Sequence, residues 1–224
     1  MKLLAFDTAT EACTVALWLD GRVLERSEPR SQHSECLLPM IDALLAEAGL
    51  GVKQLDAIAF GRGPGSFTGL RIGAGVAQGL AFAAGLPVVP VSSLATLAQG
   101  VDADRVLAAF DARMQQVYWG VYRRSVQGRV ELVQPEVVVS PAAIAQTEGP
   151  GWVGAGSGWD AYADRLAPRL TGTLERWIPA AVPHARHLVV LAVAAFADGQ
   201  AVPAEQAQPV YIRDEVAARL KTGG

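Results

Sequence analysis

The chain has 224 residues, 51% of them apolar and 18% charged, enough to bury one large core or two lobes of about 100 residues each. A formal charge of −3 speaks against a protein that holds nucleic acid unaided, because that needs a basic stripe to displace counterions from phosphates. Two cysteines, Cys13 and Cys36, make neither a disulfide framework nor a thiolate metal cluster, so the expectation is a cytoplasmic protein with reduced thiols and no bound metal.

Met1-Lys2-Leu3-Leu4-Ala5-Phe6-Asp7 opens as a strand, and its carboxylate arrives too soon for a signal-peptide core. Ala12–Leu19 predicts a second strand, Asp20-Gly21 a hairpin turn and Arg22–Glu25 the return. Ser34 is the expected N-cap of a helix in which Leu37, Leu38, Ile41, Leu44, Leu45 and Ala48 keep a 3.6 period until Gly49, with a bend at Pro39. Leu55–Phe60 reads as a short buried strand. A glycine-rich turn then leads into a helix over Gly69–Ala84, a strand over Pro87–Val91 and a short helix to Ala98, capped by Ser92 or Ser93.

The opening then recurs. Leu3-Leu4-Ala5-Phe6-Asp7 returns as Leu107-Ala108-Ala109-Phe110-Asp111, followed by a strand over Gln116–Arg123 and the turn and return Gln127-Gly128-Arg129-Val130-Glu131. Arg123, Arg124 and Arg129, the densest basic cluster, sit at this hairpin end and read as solvated. Ser140-Pro141 predicts the N-cap and first residue of a helix. Trp152–Ala155 predicts a strand, Trp159–Leu166 a helix and His184–Ala197 a long apolar helix. The uncharged run Leu188–Ala197 is far shorter than the ~20 residues that cross a bilayer, so no membrane segment is expected.

Two β-β-β-α-β-α lobes, 1–102 and 103–224, resemble the actin, Hsp70 and sugar-kinase superfamily: an α/β, actin-like fold of duplicated lobes. The resemblance implies that an Asp ending each lobe's first strand faces the cleft between them, here Asp7 and Asp111. Both are also ordinary strand-terminal turn formers, and their pairing in a repeat favours the cleft reading.

Gly61-Arg62-Gly63-Pro64-Gly65-Ser66-Phe67-Thr68-Gly69-Leu70-Arg71-Ile72-Gly73 lacks the Lys-Ser/Thr of a phosphate-binding P-loop and the spacing of a dinucleotide fingerprint. A tight turn with close helix packing and an anion cradle both stay open, the first preferred. Gly73, Gly75 and Gly79 lie inside the following helix at a cost of about 1 kcal/mol each relative to Ala. Such a thin face suits close approach of another helix, one on a second chain included.

Asp7-Thr8-Ala9-Thr10 with Gly63–Gly73 is similar, almost residue for residue, to the TsaB (YeaZ) family. His33-Ser34-Glu35, Leu38-Pro39, Asp111-Ala112-Arg113 and Pro209-Val210-Tyr211-Ile212-Arg213 extend the resemblance along the chain, with Ile212 where Leu is usual. It implies a scaffold without a catalytic site, required for threonylcarbamoyl transfer to adenosine 37 of tRNAs that read codons beginning with A. The implied partners are TsaD, which performs the transfer, and the ATPase TsaE, with a homodimer when the chain is alone and tRNA met through the complex.

No tightly bound cofactor is expected, and ATP or ADP belongs to the complex. The catalytic sibling of the group carries a His-x-x-x-His metal pair where this chain has Ser93 and Leu97, while His33 reads as solitary and His184/His187 as lacking companions. An alternative is a small-molecule kinase or ATPase of the same superfamily, with Gly156-Ser157-Gly158 as a faint adenosine loop. The expected partner surface is Met40, Leu44, Leu70, Gly73, Val76, Ala77 and Leu80.

Overall fold

The computed structural model describes residues 1–29 and 32–213. Two five-stranded sheets share one plan. In the first, the order is β3 (Arg22–Glu28), β2 (Cys13–Leu19), β1 (Lys2–Asp7), β4 (Ala57–Gly63), β5 (Val88–Ser92). In the second it is β8 (Val130–Val139), β7 (Val117–Arg124), β6 (Arg105–Asp111), β9 (Trp152–Ala155), β10 (Leu174–Ile178). In each, the first three strands in sequence form an antiparallel meander, and the last two join parallel to the first. The repeat is thus a repeat of topology, and the fold is α/β with duplicated actin-like lobes.

Helices α1 (His33–Glu47) and α2 (Phe67–Ala84) supply the crossovers of the first sheet, since parallel strands cannot be joined by a tight turn. Leu4 and Phe6 of β1 pack with Leu37, Ile41, Leu44, Ala77 and Ala81 of these helices. Leu3 and Ala5, alternating to the other face, pack with Ala185, Leu188, Val189 and Ala192 of a later helix, α5 (Ala185–Ala197). Both faces being covered, β1 reads as a continuous apolar run rather than an alternating one.

The chain groups into two compact units, residues 1–96 with 183–210, and 97–182 with the described residues from Tyr211. The helix expected to close the second lobe therefore belongs to the first unit. Without it the Leu3–Ala5 face of β1 would be bare, and the Ala185 N–H donates to Thr14 Oγ1 of β2 at 3.0 Å to fix its start. In the second unit, α4 (Ser157–Leu166) buries Trp159 completely, with its indole N–H donating to the Leu107 carbonyl at 2.8 Å.

Some local expectations differ from the structure. Helix α1 begins at His33, so Ser34 lies within its first turn, and Gln32 at the N-cap makes no side-chain cap bond. Helix α2 starts two residues before the expected Gly69, because Ser66 Oγ accepts from the Gly69 N–H at 3.3 Å. Ser140-Pro141 leads only into a 3₁₀ turn, Pro141–Ala143, without a side-chain cap. Strand β10 was not foreseen: Glu175, Arg176 and Trp177 at its centre are all exposed, so no apolar alternation marks it. The short helix after β5 forms as α3 (Ser93–Gln99).

Candidate functional site

Asp7 ends β1 and is 1% exposed. Its carboxylate accepts from the Ala9 N–H at 2.8 Å and from the Ser93 hydroxyl at 2.7 Å. Burial pushes its pKa above the ordinary carboxylate value, against the opposing pull of these two hydrogen bonds and of nearby His33. Asp111 ends β6 with the same turn, accepting from the Arg113 N–H at 2.8 Å. It also accepts from the Tyr162 hydroxyl at 3.2 Å and pairs with the Arg113 guanidinium at 3.3 Å. Both repeats therefore use the aspartate as an Asx-type turn former, and Asp7 is closed over by residues of its own lobe.

The glycine-rich segment closes over the same turn. A methyl group at Gly61 would overlap the Asp7 carboxylate, at Gly65 the Ala9 carbonyl and at Gly69 the Thr8 carbonyl. At Gly73 it would stand 2.6 Å from Thr8 Oγ1, which donates to the Gly69 carbonyl at 2.8 Å. Close packing of β4 and α2 on Asp7–Ala9 thus accounts for four of the glycines. The faint adenosine loop has a similar explanation: methyls at Gly154 and Gly156 would overlap the Trp159 ring and the Ala109 carbonyl. Where the sibling has its metal pair, Ser93 is spent on Asp7 and Leu97 is buried.

Helix α2 has two thin sides, and they face opposite ways. Leu70, Gly73, Ala74, Ala77 and Ala81 form the buried stripe. Of the expected partner surface, Met40, Leu44, Leu70, Gly73 and Ala77 are therefore interior, and Val76 and Leu80 are partly buried against the first core. The rotation of the helix sets this: it turns Leu70, Gly73, Ala74, Ala77 and Ala81 inward and leaves Phe67 and Phe82 outside. On the outer side, methyls at Gly75 and Gly79 would meet open space among the described residues, and Phe82, one turn on, is 83% exposed. Phe67, with the Arg71 guanidinium 3.8 Å over its ring, continues this side, and Leu38 of α1 is exposed too. Phe67 and Leu38 were not part of the expected surface; Phe67 stands about 80° round the helix from Gly75, so spacing alone does not group the two.

His33 is not solitary. Cys13, His33 and Cys36 bring one donor atom each within 4.8 Å of one another. Burial pushes the Cys13 thiol far up, and the adjacent Cys36 adds to the shift. His184 and His187 meet edge to face at 6.5 Å. The C-terminal motif is held at both ends: the Val210 N–H donates to the Arg62 carbonyl at 2.8 Å, and Arg213 donates to the Ala112 carbonyl at 2.8 Å. No helix among the described residues is long and apolar enough to cross a membrane.

Comparison with known proteins adds the context. The model of the TsaD family, tRNA N6-adenosine threonylcarbamoyltransferase, matches residues 27–219. The tRNA threonylcarbamoyladenosine biosynthesis protein TsaB of Escherichia coli is 44% identical, covering 100% of this chain and 99% of the relative. That of Haemophilus influenzae is 42% identical over 96% and 95%. The solved structure of YeaZ from Pseudomonas aeruginosa superposes with a TM-score of 0.87 at 48% identity, covering 94% of this chain and 99% of that one. The chain, matched along its whole length, belongs to the TsaB family within the wider TsaD group.

Proposed function

We propose that this chain is a non-catalytic subunit of the cytoplasmic machinery that places threonylcarbamoyl on adenosine 37 of tRNA, and that it acts by binding TsaD through the outer side of α2. Support for the pathway comes from its relatives, which are named as tRNA threonylcarbamoyladenosine biosynthesis proteins. Support for a scaffold comes from Ser93 and Leu97, neither of which can replace a histidine pair on a metal.

The observation that carries the binding surface is the pair Gly75 and Gly79. Each sits in open space and forgoes about 1 kcal/mol of helix propensity that alanine would restore. Nothing described in the chain gains from their thinness, whereas a partner helix laid across them does. Phe82 beside them offers a side chain large enough to anchor such a contact. The same surface serves a homodimer when TsaD is scarce, TsaE joins the pair, ATP or ADP is handled within the complex, and tRNA is met there too.

The test is calorimetry of TsaD with the wild-type chain and with Gly75→Leu and Gly79→Leu. Both variants should melt no lower than the wild type and bind TsaD at least about tenfold more weakly, a loss of about 1.4 kcal/mol. Unchanged affinity in two folded variants removes this surface from the reading.

A further inference from the structure

The side-chain cluster at the start of α1 takes no part in the surface described above. Cys13 opens β2, while His33 and Cys36 stand three residues apart in the first turn of α1, a spacing that puts both on one helix side. Their donor atoms all lie within 4.8 Å of one another. Zinc bonds of about 2.3 Å to sulfur and about 2.0–2.1 Å to nitrogen in a tetrahedron require donor separations of roughly 3.5–3.8 Å. The three groups therefore need to draw together by only about 1 Å, within the reach of side-chain rotation.

The surroundings match a cation site in two further respects. His33 Nε2 lies 2.8 Å from the Thr10 carbonyl, and a ring N–H donated there leaves the imidazole lone pair on Nδ1. Histidines that bind metals commonly hold their second nitrogen on a carbonyl in this way. Glu28 is the direct cross-strand partner of Cys13, and directly opposed residues project to the same side of a sheet. Glu28 and Cys36 also line one open groove of about 580 Å³ between β3 and α1, with Glu25, Ser27 and Pro39, which gives an ion a route from solvent.

We propose that Cys13, His33 and Cys36 form a binding site for a thiophilic divalent cation of the zinc class, with Glu28 or water in the fourth position. Two sulfurs and an imidazole are the donor set such ions prefer over magnesium or calcium. The bound ion would pin the first turn of α1 to β2. The site uses neither Ser93 nor Leu97, and the proposal is independent of the role in tRNA modification.

The experiment is a cobalt titration of the full, reduced, chelator-treated chain, followed by zinc. One equivalent of cobalt should give thiolate-to-cobalt charge-transfer bands and the visible bands of a tetrahedral site, and zinc should bleach both. Cys36→Ser and His33→Gln should each weaken cobalt binding at least about tenfold, the loss that second-sphere changes alone produce in metal sites. Thermal melting of each variant without metal checks that its fold is intact. Octahedral cobalt only, no uptake, or bands that persist unchanged in both folded variants would overturn the site. A Cys13–Cys36 disulfide that forms in place of cobalt binding, after reduction and with cobalt present, would also overturn it.

Discussion

Asp7 illustrates how a residue that looks functional in a sequence can be consumed by structure. Its bond from the Ala9 N–H holds the β1–β2 turn, its bond from the Ser93 hydroxyl ties that turn to α3, and Gly61 leaves room for its carboxylate. Because burial raises its pKa, the fold binds a proton more tightly than the unfolded chain does. This contribution to stability is fully present below the unfolded value near 3.9 and is lost as pH rises through the higher folded value. Asp7→Asn, which keeps an acceptor for the Ala9 N–H, should therefore gain on the wild type as pH rises across that window, then run parallel above it. Urea unfolding of both proteins at several pH values reads this directly, and a gap that moves toward Asp with rising pH contradicts the assignment.

The glycines give a paired prediction. Gly75→Ala should raise stability by about 1 kcal/mol, whereas Gly73→Ala should lower it, because its methyl would press on Thr8 Oγ1 at 2.6 Å. Equal effects of the two would deny that the helix has an inner and an outer thin side. The sequence makes the glycines visible but not their directions. Gly73 and Gly75 are two residues and about 200° apart around the helix, and only the contact with Thr8 tells inside from outside.

Among the elements, the two meanders were legible because each carries the same apolar strand ending in Asp and the same Gly-Arg-Val return. Helix α5 was legible as a helix but not as a part of the first unit, since an all-apolar run carries no mark of which sheet it covers. Strand β10 left no trace because its central side chains are solvated. The metal-type cluster was hidden for a different reason: Cys13 is 20 residues from His33, and only the placement of α1 beside β2 brings them together.

The same geometry separates two substitutions in α2. Ala77 is fully buried on the first sheet, so Ala77→Trp should cost several kcal/mol by overpacking and lower the melting temperature sharply. Gly75→Leu, in open space, should melt at or slightly above the wild-type temperature. Differential scanning calorimetry of the two decides it, and a collapse of Gly75→Leu would mean that its side of α2 is covered within the chain.

For the whole molecule, the TsaB assignment was legible at the level of motifs, because the glycine-rich segment is long and specific. The proposed partner surface was only half legible, since hydrophobic periodicity marks the buried side of a helix and leaves the exposed one to be found by subtraction. A net charge of −3 predicts that the isolated chain binds tRNA no more tightly than the non-specific range of ~10⁻⁴ to 10⁻⁶ M at physiological salt. Filter binding that gave submicromolar affinity with a steep salt slope would reveal a basic surface that the composition conceals.

The central claim is that this chain supports tRNA threonylcarbamoylation by presenting the outer side of α2 to a partner. Mass spectrometry of tRNA nucleosides from cells depleted of the chain tests it most directly. N6-threonylcarbamoyladenosine should fall on depletion, return with the wild-type chain and fail to return with Gly75→Leu expressed to the same level. Nucleoside content that is unchanged by depletion, or restored fully by the folded Gly75→Leu chain, would contradict the account.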